Sequence, residues 1–185
     1  MEFTITAATV DHVTAITKIY REAVLHHTAS FELVPPDDVE MAHRMAAIVD
    51  QGYPFLVALG SDSSLLGYAY ASAYRSRPAY RWSVENSVYV DPLAHGLGVG
   101  TSLTREVIMR CEALGFRQMI AIVGGSDNLA SIAMHEKLGF ERVGLLPGFG
   151  FKHGQWLDSV LMQRSLGDGL KTEPDMDAFP GNRYP

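Results

Sequence analysis

Apolar residues along the chain switch between helical and alternating spacing, and each switch marks an element. Phe3 and Ile5 alternate with polar neighbours as in a short strand. From Asp11 to Ala23, Val13, Ile16, Ile19, Tyr20 and Ala23 fall at helical spacing, with Thr9 or Asp11 available as a cap. The connection from Leu25 to Pro36 has neither period. A second helix opens with Asp37 and Glu40 at capping-box spacing and stops before Gly52. Pro54 to Leu59 and Leu65 to Ser72 read as strands joined by the turn residues GSDSS, hence as an antiparallel hairpin. After the loop YRSRPAYRW, Ser83 to Val90 forms a third strand, a glycine-rich stretch follows, and a helix runs from about Thr101 to Leu114, closed by Gly115. The near-continuous apolar run Gln118 to Val123 fits a strand buried on both faces. NLASIAMHEKLGF supplies a short helix stopped by Gly139, and Trp156 to Gln163 is the last strand.

From Gly167 the chain is polar, proline-bearing and aperiodic, which predicts a flexible tail over 167–185 behind one folded domain, 1–166. A length of 185 residues, 47% hydrophobic and 19% charged, suits that single domain. The net charge of -6 leaves no electrostatic footprint for nucleic acid or an anionic membrane, so a polyanionic ligand must be held by local geometry. Cys111 is the one cysteine, which excludes an intramolecular disulfide and a Cys-rich zinc site. It lies within a helical pattern, where a buried apolar role is the common one. The first residues lack a basic segment followed by an apolar run, which leads us to expect a cytoplasmic protein. His26 and His27 are adjacent, project poorly for shared coordination and have no accompanying ligand cluster, so no metal is expected.

The stretch YVDPLAHGLGVGT, Tyr89 to Thr101, places Gly96, Gly98 and Gly100 between a strand and a helix. A helix N-terminus carries unsatisfied N–H groups and a positive dipole end, and glycines let backbone amides close around phosphate oxygens. Two readings stand: a backbone anion site, or merely a tight strand-to-helix turn. A P-loop is excluded because no Lys-Ser/Thr follows the last glycine. The dinucleotide fingerprint G-x-G-x-x-G misfits, and the preceding hairpin argues against a βαβ unit.

His95-Gly96-Leu97-Gly98-Val99-Gly100 resembles the Q/R-x-x-G-x-G/A acetyl-CoA pyrophosphate motif of the GNAT (GCN5-related N-acetyltransferase) superfamily. NLASIAMHEKLGF resembles its second signature: Asn128 opening a helix, an aromatic acid seven residues later at His135, then Gly139-Phe140. RWSVENSVYVDP, MHEKLGF and GFGFKHGQWLDSVLMQ are similar to the phosphinothricin and methionine sulfoximine acetyltransferases within it, over roughly residues 3 to 166. The resemblance implies an α/β (α+β) fold with a mixed central sheet of splayed strands flanked by helices. His95 stands where the family usually has Gln or Arg, which alters a side-chain contact while leaving the backbone cradle. His135 stands where many members have a tyrosine general acid, and the phosphinothricin-like group resembles this sequence in having histidine there.

Acetyl transfer from a thioester to an amine needs a neutral amine, a donor for the developing oxyanion and a proton for the departing thiolate. Glu85, in the apolar strand SVENSVYV, would have its pKa raised towards that of a useful general base, the role the resemblance also gives it. Its plainer reading is an outward-facing strand residue, since alternation puts Glu85, Ser87 and Tyr89 opposite Val84, Asn86, Val88 and Val90. His135 shares a helix face with Asn128 and Ser131 and would meet the thioester sulfur; otherwise it is a half-buried helical histidine. The resemblance implies backbone contacts from Val88, Tyr89 and Val90 to the pantetheine arm, an anchor at Asn128 beyond its N-cap role, and pyrophosphate contacts from His95 to Thr101. For a glutamate-like substrate, Arg75, Ser76, Arg77 and also Arg81 are candidates from the loop, with Asn86 and Ser87 beside Glu85. Phe31, Lys152, His153 and Trp156 are candidates for the pocket wall, across a homodimer interface as in the family, or for ordinary packing. The expected partners are thus a small amine and acetyl-CoA. The competing readings are the same chemistry on an unrelated amine and a non-catalytic acyl-CoA-binding protein.

Overall fold

The computed structural model describes residues 2–183. Seven strands form its sheet: β1 (Phe3–Ala7), β2 (Phe55–Gly60), β3 (Leu65–Ala73), β4 (Ser83–Val90), β5 (Gln118–Gly124), β6 (Glu141–Lys152) and β7 (Gln155–Ser165). Their order is β1-β2-β3-β4-β5-β7-β6. Every neighbouring pair is antiparallel except β4 and β5. Those two are joined by a helical crossover, the connection that parallel strands require. The helices are α1 (Val13–His26), α2 (Asp38–Asp50), α3 (Val99–Ala113) and α4 (Leu129–Lys137).

Strand alternation sends side chains to two separate cores. Phe55 and Val57 of β2 join Val13, Ile16, Ile19, Tyr20, Met41 and Met45 of α1 and α2. Leu56 and Ala58 point the other way, to Leu103, Val107, Cys111, Met119 and Ile132 under α3 and α4. Cys111 is fully buried there, and burial pushes its thiol up to about 12. It is a packing residue.

Local chemistry accounts for most boundaries. Asp37 caps α2 by accepting from Glu40 N at 2.9 Å. A turn of 3-10 helix, Val10–His12, precedes α1 and delays its start to Val13. The helix after the glycines begins at Val99, earlier than the expected Thr101, because Gly98 itself occupies the cap position. β6 was not evident from the pattern: Gly144, Pro147, Gly148 and Gly150 interrupt its alternation, and its pairing with β7 shifts register twice. The expectation that β5 is buried on both faces fails on one side. Met119, Ala121 and Val123 face a core, but Ile122 is 42% exposed, because α1 and α2 cover β2 to β4 and leave this part of the sheet bare.

Of the segment 167–185, marked by composition as a flexible tail, residues 167–183 lie against the domain, and 184–185 are outside the described residues. The Phe179 ring meets Phe116 edge-on at 5.6 Å, and the Arg183 guanidinium sits 4.5 Å from the centre of the Tyr53 ring. Arg117 donates to Thr172 Oγ1 and to the Glu173 carbonyl. Arg81 donates to the carbonyls of Pro78 and Gly181, so this loop arginine serves the C-terminal segment. Among the described residues no helix is long and apolar enough to cross a membrane. Phe179 is half-buried, so Phe179→Ala is expected to lower the unfolding free energy by about 1–2 kcal/mol in urea titrations, with turnover unchanged.

Candidate active site

The turn between β4 and α3 builds the first part of the site. Gly96 and Gly98 have φ of +76° and +81°, a left-handed conformation that side-chain-bearing residues adopt only at a cost, and a Cβ on either would meet nothing within 4 Å. The space above them is open. The first intrahelical bond is Ser102 N to Gly98 O at 3.0 Å, so the N–H groups of Val99, Gly100 and Thr101 precede the ladder and point out of the helix end. Gly100 answers a different need, since a Cβ there would press on Met134 Sδ at 3.2 Å and Val90 Cγ2 at 3.3 Å. His95 turns its Nε2–H to the Val90 carbonyl at 3.2 Å and so closes the turn. A groove of about 720 Å³ runs over this helix end, lined by Val88, Tyr89, Val90, His95, Asn128, Ser131 and Met134 among others. The N-terminal dipole and the bare amides suit an anionic group of phosphate type.

The second part comes from the sheet. β4 and β5 pair in parallel from Ser83–Gln118 to Asn86–Ala121, and there the ladder ends. Beyond it the strands part, and Ser87, Val88 and Tyr89 face Ile122, Val123 and Gly124 across a cavity of about 430 Å³. This cavity shares Ala29, Val88, Tyr89, Asn128 and Ser131 with the groove, so the two are continuous. Asn128 stands at the junction with its Oδ1 accepting from Ser131 N at 3.3 Å, the cap of α4.

Glu85 and His135 both line the cavity. Glu85 is half-buried; desolvation raises its pKa, and the positive charge of Arg75 opposes that rise. His135 is 2% exposed and packed edge-on against Phe140 at 5.0 Å. Its Nδ1 lies 2.8 Å from the Ser131 carbonyl and its Nε2 lies 3.3 Å from Asn86 Nδ2. Burial lowers the imidazole pKa and the Ser131 carbonyl partly restores it, so the ring is neutral at pH 7. Burial thereby pushes both groups towards their uncharged forms.

The irregular segment after α1 closes one side of this space. Lys152, 3% exposed, donates from Nζ to the carbonyls of His27 at 2.8 Å and Ser30 at 2.6 Å, and burial lowers its pKa against the opposing charge of Glu32. Tyr20 and Ser30 hydroxyls bond at 2.9 Å, and Arg44 donates to Glu32 at 2.6 Å. The chain passes so close to β5 that a Cβ on Gly124 would stand 2.1 Å from the Thr28 carbonyl. These ties set Phe31 over the cavity. Lys152 therefore fixes the wall from behind, a task its sequence position did not reveal.

Of the other expected residues, Asn86, Ser87, Val88 and Tyr89 line the cavity with Phe31, while Arg75, Ser76 and Arg77 lie exposed on the loop after β3, outside its lining. Lining groups that sequence reasoning missed include Tyr20, Ser30, Glu32, Phe149 and Ser159. Ser30 and Glu32 flank Phe31 in TASFE, so the signal was adjacent. Tyr20 read as a core position of α1, and it does pack edge-on against Tyr89 at 5.0 Å. Among the described residues no group of three or more His, Cys, Asp or Glu side chains is arranged to hold a metal ion.

Comparison with known proteins agrees with this layout. Residues 16–140 match the model of the Acetyltransferase (GNAT) family. A phosphinothricin N-acetyltransferase of Alcaligenes faecalis is 52% identical over 165 residues, 89% of this chain and 83% of that protein. An L-methionine sulfoximine/L-methionine sulfone acetyltransferase of Pseudomonas paraeruginosa is 40% identical over 94% of this chain and 100% of its own. The crystal structure of a GNAT superfamily phosphinothricin acetyltransferase from Sinorhizobium meliloti, in complex with acetyl-CoA, superposes with a TM-score of 0.95 at 49% identity, covering 98% of this chain and 97% of that one. With its splayed strands, its glycine turn at a helix end and this kinship, the chain belongs to the acetyltransferase (GNAT) family.

Proposed function

We propose that the chain is an acetyl-CoA-dependent N-acetyltransferase acting on the amine of a small amino-acid-like molecule such as phosphinothricin or methionine sulfoximine or sulfone. The observation that carries this reading is the continuity of the glycine-turn groove with a cavity that holds a half-buried carboxylate. Bound acetyl-CoA supplies an acetyl group activated as a thioester. The amides of Val99, Gly100 and Thr101 would hold its pyrophosphate, and the parted edge of β4 at Val88 to Val90 would bind the pantetheine arm. Glu85, its basicity raised by desolvation, takes a proton from the substrate ammonium so that the neutral amine attacks the thioester carbonyl directly; the C–N bond forms, the C–S bond breaks, and the proton shed by the new amide nitrogen goes to the departing thiolate. A pure acyl-CoA binder has no use for a carboxylate kept half out of water, which favours catalysis.

The substrate carboxylate needs a cation. Arg75, with Arg77 and Ser76 on the same loop, is the group we assign to it, and the influence of Arg75 on Glu85 supports its reach towards the cavity. The β6–β7 hairpin exposes Phe149, Phe151 and Trp156, with Phe149 also lining the cavity, and we assign this face to a second copy of the chain.

Glu85→Gln is expected to lower kcat/KM by about a hundredfold or more while acetyl-CoA affinity stays unchanged. In the wild type kcat/KM rises as Glu85 loses its proton, at a pH above the ordinary glutamate value. The folded state favours the protonated form, so ionisation at neutral pH weakens the fold and that penalty vanishes as pH falls through the folded pKa. The Gln variant is therefore expected to be no less stable than wild type at pH 7. Unchanged turnover in a pH series of thiol release would remove Glu85 from the mechanism.

Thiol release from acetyl-CoA is expected to be fastest with phosphinothricin, methionine sulfoximine and methionine sulfone in a panel that also holds other amino acids and polyamines. Inactivity on those three with turnover of another amine would shift the substrate class and leave the acetyl transfer. In sedimentation the wild type is expected at twice the chain mass and Trp156→Glu at the monomer mass.

A further inference from the structure

Hydrogen-bond partners dictate where the proton of His135 sits. Its Nδ1 lies 2.8 Å from a backbone carbonyl, Ser131 O, which can only accept, so Nδ1 carries a hydrogen. In the neutral ring Nε2 then holds a lone pair. The group facing it at 3.3 Å is the Asn86 carboxamide, which must present its NH2 end to that lone pair. The chain of bonds thus fixes the amide: nitrogen towards the ring, oxygen away. Turned this way, Asn86 Oδ1 is buried with no hydrogen-bond partner, on a side chain 5% exposed that lines the cavity. A buried orphan of this kind calls for an explanation.

We propose that Asn86 is the positioning residue of His135: its amide caps Nε2 of the neutral ring, and when that nitrogen gains a proton the carboxamide makes a half-turn so that Oδ1 accepts from the new N–H. Protonation then supplies the partner that Oδ1 lacks in the resting protein. The proton comes from water or from the substrate amine, and only N–H and O–H bonds form or break. Tyr20, Glu32, Glu85 and Tyr89 line the same cavity, Glu136 and Lys137 follow His135 on α4 and are exposed, and Phe140 packs edge-on against the ring. The proton affinity of the ring is set by burial and by the Ser131 carbonyl. Catalytic consequences of the pairing rest on the acetyl-transfer reading above; the tautomer itself does not.

Long-range proton–nitrogen NMR of histidine-labelled protein tests this, with the His135 signal assigned by its loss in His135→Gln. Wild type is expected in the Nδ1–H tautomer when neutral. Asn86→Asp, of the same shape, is expected to raise the His135 titration midpoint by about one pH unit or more, because a carboxylate stabilises the imidazolium. The pH profile of kcat is expected to move with it, while KM for acetyl-CoA stays within about twofold. Asn86→Ala is expected to lower kcat about tenfold by the loss of an ordered ring. An Nε2–H tautomer in the wild type, which needs no variant to observe, overturns the proposal, and so does an unmoved midpoint in folded Asn86→Asp. A wild type in the Nδ1–H form that releases no thiol with any amine would instead defeat the acetyl-transfer reading and leave the Asn86–His135 pair standing.

Discussion

The site exists because two parallel strands stop pairing. β4 and β5 exchange ladder bonds over Ser83–Asn86 and Gln118–Ala121, then separate. Backbone groups beyond that point still require partners, and a gap between strands is a place where another extended chain can supply them. The same strand, running four residues further, delivers its end to the glycine turn and the amides at the head of α3. One geometric fault in the ladder therefore joins the gap between the strands to the glycine turn at one end and to the cavity lined by Glu85 and His135 at the other.

Burial tunes that cavity. Glu85 and His135 reach it from different elements, and desolvation pushes the pKa of the first up and that of the second down. Lys152 shows the opposite use of a buried group. Its ammonium remains where it satisfies two carbonyls of the segment that carries Phe31, making an otherwise irregular loop a fixed wall.

Legibility in the sequence followed local chemistry. Ser83 to Val90 was readable to the residue because its alternation is bracketed by a loop and a proline, and α2 because Asp37 caps it. β6 was hidden, since glycines and a proline erase its period, and its existence depends on β7 as a template. The tail misled for a similar reason: its composition is that of a solvated segment, yet Phe179 finds Phe116 and Arg183 finds Tyr53. Two well-placed anchors outweigh average polarity.

What the sequence determined by itself was everything set by near neighbours: the glycine turn whose φ values only glycine takes readily, the helix caps, the strand alternation, and the order of motifs that marks the family. The tertiary structure decided which chemical groups meet. Asn86 and His135 stand 49 positions apart, and Lys152 stands 122 positions from Ser30. Such pairs have no local signature, because a hydrogen bond is made by atoms a few ångströms apart, and only the packing of the sheet against its helices brings distant parts of a chain that close.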